Sequence, residues 1–102
     1  MESLPAMPLS ENQKRQLRKL GHNLKPVVMI GSNGLTEAVH AEITLALEHH
    51  ELIKVRLNAG DKDVRNQMIT DITKQNKAEL VQRIGHIAVI FRRNSEKPKI
   101  SF

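Results

Sequence analysis

The stretch of sequence that decides the fold is Val27-Val28-Met29-Ile30-Gly31-Ser32-Asn33-Gly34-Leu35-Thr36. Its first four residues form a short apolar run with β-branched side chains, and they therefore predict a strand. Two glycines then interrupt the run, and Thr36 is a residue type that caps helices, so a helix is predicted from there to about His50. A strand, a glycine loop and a helix in this order indicate an α/β fold with the loop at one edge of the sheet.

The sequence on both sides of this stretch predicts further helices and strands. Capping residues followed by apolar residues at helical spacing mark the helices, and short apolar or alternating runs mark the strands. In chain order, these elements are a helix from Ser10 to about Leu20, a strand over residues 52–58, a helix capped by Asp63 that closes at residues 74–76, and two strands over residues 78–84 and 87–92. Gly21 is placed to end the first helix early, and the short connection at Gly85 predicts an antiparallel hairpin.

These elements predict a two-layer α/β sandwich of order αβαβαββ with a four-stranded mixed sheet. Strands joined through a helix must cross over, so the first three strands are expected to be parallel and the last antiparallel. Clean alternation of apolar and polar residues over 52–58 indicates one sheet face covered by helices and a second, more open face. Met29 and Met68 fall on the expected inward sides and are interpreted as core residues.

Length and composition are those of one small globular domain. The 102 residues are interpreted as a flexible N-terminal arm over residues 1–9, a domain over residues 10–93 and a mobile C-terminal tail over residues 94–102. The longest apolar runs are far shorter than the ~20 residues of a membrane-spanning helix, so no membrane role is expected. The absence of cysteine favours a reducing compartment, and we expect a cytoplasmic protein.

The charge balance favours a polyanionic partner. Lys and Arg total 16 against 11 Asp and Glu, which gives a formal net charge of +5, and the pI is about 9.9. This balance is typical of nucleic-acid-binding proteins, although an ordinary solvated surface can also be basic. Phe91 and Phe102 are the only Phe, Tyr or Trp residues, so an aromatic stacking platform is not available. Recognition of a nucleic acid would therefore depend on phosphates and shape more than on bases.

The glycine loop is the feature of the sequence that carries chemistry. Glycines at positions 31 and 34 leave the loop without Cβ atoms where a partner can approach the backbone. The free N–H groups and the dipole of the following helix favour an anion such as phosphate. A Walker loop needs Gly-Lys-Ser/Thr and a Rossmann loop needs a third glycine, and neither is present. A KH-type Gly-x-x-Gly loop matches, while a plain turn stays open as the alternative.

A resemblance to a known family adds to this interpretation. Its motifs occur in order along the chain as Gly31-Ser32-Asn33-Gly34-Leu35-Thr36, His50-Glu51-Leu52-Ile53-Lys54-Val55, Ile84-Gly85-His86 and Phe91-Arg92. Over about residues 10–93, the chain resembles the CRM domain, the YhbY family of RNA-binding proteins. The resemblance implies a fold similar to the C-terminal domain of bacterial translation initiation factor three. It also implies that stand-alone bacterial members associate with large ribosomal subunit precursors, while plant members act in intron splicing.

The resulting hypothesis is an RNA-binding protein of ribosome assembly, acting as a monomer on the large-subunit precursor. Many members of the family carry a basic residue inside the loop, whereas Ser32 and Asn33 are neutral, so flanking lysines and arginines become more necessary. The candidate RNA-binding residues are Gly31, Ser32, Asn33, Gly34, Lys14, Arg18, Lys54, Arg56 and Arg92. For each basic group, a solvated face is the alternative. The substitution Gly34→Asp is expected to keep the fold and abolish most RNA binding, since it places a negative charge at the anion site.

Other functional classes find less support in the sequence. A nucleophile with its base, a His-Glu-x-x-His motif and Cys ligands are all missing, so we expect no catalytic residues, no bound metal and no cofactor. His49 and His50 are adjacent on the predicted helix and do not face one site. A double-stranded DNA-binding protein and a protein-interaction module on the ribosome remain as alternative hypotheses.

Overall fold

The computed structural model describes residues 9–58, 60–94 and 96–100, so the predicted N-terminal arm lies outside the described residues except for Leu9. The elements follow the predicted order. The helices are α1 (Glu11–His22), α2 (Glu37–His50) and α3 (Lys62–Asn76). The strands are β1 (Val28–Ile30), β2 (Leu52–Leu57), β3 (Glu79–Ile84) and β4 (Ile87–Phe91). None of the helices in the described ranges is long and apolar enough to span a membrane.

Side-chain caps explain where the first and third helices begin. The Ser10 hydroxyl accepts from the Gln13 N–H at 3.1 Å, and the Gln13 side chain accepts from the Ser10 N–H at 3.0 Å, which forms a capping box. The sequence places the cap of the third helix at Asp63, but this prediction is wrong. The cap is Asp61, whose carboxylate accepts from the Val64 N–H at 2.9 Å. Asp61 has the extended backbone of a cap, whereas Asp63 already lies in the first turn.

Gly21 does not end α1 but lets this helix approach the sheet. The helix continues to His22, contrary to the expectation from the sequence. A Cβ atom on Gly21 would lie only 2.9 Å from Cγ1 of Val89 in β4, which is closer than packed carbon atoms come. The missing side chain therefore permits close contact between α1 and the sheet.

The four strands form one mixed sheet in the order β1-β2-β4-β3. β1 and β2 are parallel, with Val28 opposite Val55 and Ile30 opposite Leu57. β4 is antiparallel to both of its neighbours, β2 and β3, so the predicted directions of all four strands are confirmed. The position of β4 between β2 and β3 is not specified by the order of elements along the chain.

Helices pack on both faces of the sheet, but unequally. α2 and α3 cover one face and form the main core with inward side chains of the sheet. The residues of this core are Val28, Ile30, Ile43, Leu47, Ile53, Val55, Leu57, Met68, Ile69, Ile72, Ala88 and Ile90. On the other face, which we call the α1 face, Leu17 of α1 packs in a smaller cluster with Leu52, Val81, Val89 and Phe91. The predicted α/β fold class is confirmed, and α1 covers only one end of the more open face.

Met29 lies on the α1 face and not in the core, so the prediction for this residue is wrong. Its neighbours Val28 and Ile30 are buried in the main core, whereas Met29 is 62% exposed. Met68 is a core residue as predicted. In an entirely apolar strand, the sequence does not reveal which residues face inward, and the pairing with β2 decides it.

The sequence predicts a mobile C-terminal tail, and in the structure the described part of this tail is hydrogen-bonded to the domain through Glu51. Glu51 is fully buried at the end of α2. Its carboxylate accepts hydrogen bonds from the backbone N–H groups of Asn94, Lys99 and Ile100 at 2.6, 2.6 and 2.8 Å. Ile100 also packs against the cluster on the α1 face.

Candidate nucleic-acid interface

Three connections of the chain meet at one edge of the sheet, which we call the loop edge. β1, β2 and β3 all end there, so the glycine loop, the connection from β2 to α3 and the turn between β3 and β4 lie side by side. Backbone hydrogen bonds join them. The Asn58 N–H donates to the Ile30 carbonyl at 2.9 Å, and the Leu57 N–H donates to the His86 carbonyl at 2.7 Å.

The glycine loop is an open turn on the surface of the loop edge. The Gly34 N–H donates to the Gly31 carbonyl at 3.0 Å and closes the turn. Gly34 has a φ of +71°, a conformation that suits glycine, while a Cβ atom on either glycine would meet nothing within 4 Å. Ser32 and Asn33 are exposed. A ligand can therefore reach the backbone of this loop directly.

Unpaired N–H groups make the loop a candidate anion site. Within the described part of the chain, the N–H groups of Ser32, Asn33 and Leu35 have no hydrogen-bond partner. Thr36 caps α2 as predicted and accepts from the third residue of the helix at 3.2 Å, which leaves the first two N–H groups of α2 open. The carboxylate of Glu37 also lies in this first turn and opposes a second negative charge. An anion at this position therefore needs support from nearby cations.

Arg56 is the predicted cation that the structure places beside the glycine loop. It lies opposite Met29 in the β1–β2 pairing, two residues before the loop begins. Its Nε donates to Oδ1 of Asn58 at 3.0 Å, and the Asn58 backbone is itself bonded to Ile30. The guanidinium group is exposed but held by this contact, so it is available to a phosphate at the loop.

The other predicted basic residues lie at increasing distances from the loop. Lys54 lies two residues before Arg56 on the α1 face of β2, one row further from the loop edge. Lys14 and Arg18 are partly buried on α1, the helix that packs on this same face. Arg92 follows β4 at the opposite edge of the sheet, where its Nη2 lies 3.9 Å from Glu48. The structure thus brings Arg56 and Lys54 together with the loop and separates Arg92 from them.

Two further side chains at the loop edge are not among the candidates predicted from the sequence. Nδ1 of His86 lies 2.9 Å from the Leu57 carbonyl, so this nitrogen carries the hydrogen. Nη1 of Arg65 donates to the Gly60 carbonyl at 2.8 Å. His86 belongs to the Ile84-Gly85-His86 motif of the turn between β3 and β4, whereas Arg65 lies in the first turn of α3 and carries no motif signal. Among the described residues, no group of three or more potential metal ligands is arranged to hold an ion, and we interpret His86 as a polar contact.

The fold and the loop edge define a small α/β domain with a Gly-x-x-Gly loop, and comparison with known families identifies it further. The model of the CRS1/YhbY (CRM) domain matches residues 9–92. The chain therefore belongs to the CRS1/YhbY (CRM) domain family, and the resemblance inferred from the sequence motifs is confirmed.

Relatives of the chain carry RNA-binding names. An RNA-binding protein of Haemophilus influenzae is 52% identical over 92 residues, which covers 90% of this chain and 92% of that protein. A probable RNA-binding protein of Pseudomonas aeruginosa is 43% identical over 93 residues, which covers 91% of this chain and 89% of that protein. The solution structure of a hypothetical protein from Staphylococcus aureus matches with a TM-score of 0.78 and 36% identity, covering 92% of this chain and 98% of that one.

Proposed function

We propose that this protein binds RNA at the loop edge and acts in the assembly of the large ribosomal subunit. The observation that carries the proposal is an open glycine loop with unpaired N–H groups. Beside this loop lies Arg56, whose guanidinium group is fixed by a hydrogen bond to Asn58. In this proposal, Gly31 and Gly34 admit the phosphate backbone, Ser32 and Asn33 donate hydrogen bonds to it, and Arg56 supplies charge. The RNA-binding names of the relatives support RNA as the partner.

The basic residues on the α1 face extend this proposed contact. Lys54 lies next to Arg56 along β2, and Lys14 and Arg18 lie on the helix over the same face. Arg92 is not included, because it lies at the opposite edge of the sheet near a carboxylate. We assign the protein to the cytoplasm as a monomer without cofactor, in a binding role and not a catalytic one.

Association with ribosomal particles tests the proposed function in cells. The tagged full-length chain is expected to co-sediment with precursors of the large subunit and to crosslink to their RNA. Competition at equal salt between structured RNA and duplex DNA separates this function from DNA binding, since only RNA offers folded single-stranded regions and 2′-hydroxyl groups. Preference for duplex DNA, or sedimentation only as free protein, would contradict the proposal.

The affinity for RNA is expected to depend steeply on salt. If about four to six phosphates are neutralised, a rise from about 50 to about 200 mM salt should lower the association constant by about two to three orders of magnitude. Fluorescence anisotropy with a labelled structured RNA measures this slope. A flat response would show that phosphate contacts do not drive the binding.

Two arginine variants give the salt experiment a matched comparison. Arg56→Gln, at the loop edge, should reduce the salt slope by about one unit, because one phosphate contact is lost. Arg92→Gln, at the opposite edge, should leave the slope unchanged. Equal effects of the two substitutions would contradict the placement of RNA at the loop edge.

A further inference from the structure

A row of side chains on the α1 face next to the glycine loop is largely exposed, with one half-buried member, Ile87. The strand register sets four side chains next to one another across the sheet. In spatial order they are Met29 of β1, Arg56 of β2, Ile87 of β4 and Ile84 of β3. Residues paired in this way lie on the same face. We call this row the sheet strip.

The sheet strip is open because α1 covers only the rows further from the loop edge. Leu17 packs over Leu52 and Phe91, and Gly21 contacts Val89 in the next row. The helix ends at His22, one residue after Gly21. As a result, Met29 is 62% exposed and Ile84 is 63% exposed, although both belong to a four-stranded sheet.

The chemistry of the sheet strip selects one class of partner. Its apolar side chains flank the exposed guanidinium of Arg56, and Lys54 lies in the neighbouring row with Val89 and Gln82. Neither of these two rows contains a carboxylate. An apolar surface with positive charge and no negative charge suits a polyanion that also presents flat apolar groups, and unstacked nucleobases on a phosphate backbone meet that description.

We propose that the sheet strip receives unstacked bases of a single-stranded RNA segment whose phosphates contact the glycine loop. This inference rests on the proposed function and adds the substrate class: exposed single strands rather than uniform duplex. Three spacings between neighbouring strands give the strip a length of about 14 Å. RRM domains stack two or three bases on aromatic side chains of a four-stranded sheet, whereas here the contacts come from aliphatic side chains and the Arg56 guanidinium plane.

Arg56 joins the two parts of this interface. Its Nε is bonded to Asn58 at 3.0 Å, which restricts the plane of the guanidinium group. Arginine planes stack on bases, and their remaining N–H groups bind phosphates. Met29 and Ile87 lie on either side of Arg56 along the strip and exclude water from a stacked base. Because these contacts are aliphatic and not specific hydrogen bonds, the strip accepts different bases.

The double variant Met29→Gln with Ile84→Thr tests the sheet strip. Both side chains are exposed, so the fold is expected to persist in circular dichroism and urea unfolding. Binding of a short oligouridine should become about tenfold weaker, because apolar contact with bases is lost. The salt slope should stay unchanged, since the phosphate contacts remain. Binding of inorganic polyphosphate, which has phosphates but no bases, should not change.

Leu45→Gln is the matched control for the removal of exposed apolar surface. Leu45 is 55% exposed on α2, the helix that covers the opposite face of the sheet, and its substitution should not alter oligouridine binding.

If the wild type binds oligouridine and the double variant binds it equally well, the strip assignment is overturned while the proposed function stands. If the double variant binds oligouridine as the wild type does but no longer co-purifies ribosomal proteins, the strip is a protein-binding surface and not a base-binding one. If the wild type binds no RNA, both proposals are overturned.

Discussion

Replacing Gly31 with aspartate is expected to weaken RNA binding about 30-fold without unfolding the domain. A Cβ atom at this position would meet nothing within 4 Å, so the substitution creates no clash. The carboxylate would lie beside the unpaired N–H groups where we place an RNA phosphate. Repulsion between two like charges a few ångströms apart near the surface costs about 2 kcal/mol, which corresponds to about 30-fold in affinity. Equilibrium binding of a labelled RNA measures the loss.

Asparagine variants separate the effect of charge from the effect of shape. Gly31→Asn has nearly the shape of Gly31→Asp but carries no charge. At Gly34, φ is +71°, so aspartate and asparagine each add a backbone cost of about 1 kcal/mol. Because the cost is the same for both variants, it cancels when they are compared. At both positions, the aspartate variant should bind RNA much more weakly than its asparagine partner. If the members of each pair bind equally, the loop is a structural turn and not a phosphate site.

The substitution Glu51→Gln is expected to lower the free energy of unfolding by about 3 kcal/mol. The buried carboxylate accepts three backbone N–H groups of the C-terminal tail, and hydrogen bonds to a charged group contribute about 1.5 to 3 kcal/mol each. A glutamine replaces one acceptor oxygen by an NH₂ donor, so at least one N–H loses its partner. The lower cost of burying a neutral amide offsets part of the loss. Urea unfolding at neutral pH measures the difference.

The same carboxylate predicts a specific loss of stability in acid. Burial raises the pKa of Glu51, but the N–H donors of Asn94, Lys99 and Ile100 and the positive charge of Arg93 together outweigh burial and hold the pKa below its ordinary value. Below about pH 4.3, the ordinary value for glutamate, the unfolded chain therefore binds more protons than the folded one. The contribution of Glu51 is complete above that pH and decreases as the pH falls through the folded-state pKa. The stability curves of the wild type and Glu51→Gln should converge in this range.

Glu48→Gln, in the last turn of α2, is the control for removing a glutamate near the same helix end. The Glu48 side chain is 56% exposed and lies 3.9 Å from Arg92. An exposed ion pair of this kind contributes about 0 to 1 kcal/mol, so this variant should be nearly as stable as the wild type. Similar stabilities of the Glu48 and Glu51 variants would show that the buried carboxylate does not anchor the tail. Amide hydrogen exchange at Lys99 and Ile100 gives a local measurement of the same contact.

Local patterns in the sequence determined the elements and the glycine loop. Ser10 and Thr36 cap the first two helices as predicted, because a cap needs only a short polar side chain and the N–H groups of the next turn. The alternation in β2 showed which of its residues face the main core. The two glycines and the helix that follows them predicted the exposed turn. Glycines before a helix start are a local signal, so neighbouring residues alone are enough to recognise it.

The tertiary structure decided the features that depend on residues distant in the chain. The insertion of β4 between β2 and β3 makes Ile87 the neighbour of Arg56, which no local pattern specifies. The outward position of Met29 and the anchoring of the tail by Glu51 likewise follow from strand pairing and from contacts between residues far apart in the chain. Such contacts form because the whole sheet must bury its apolar sides at once, so their partners are chosen by packing and not by sequence neighbours.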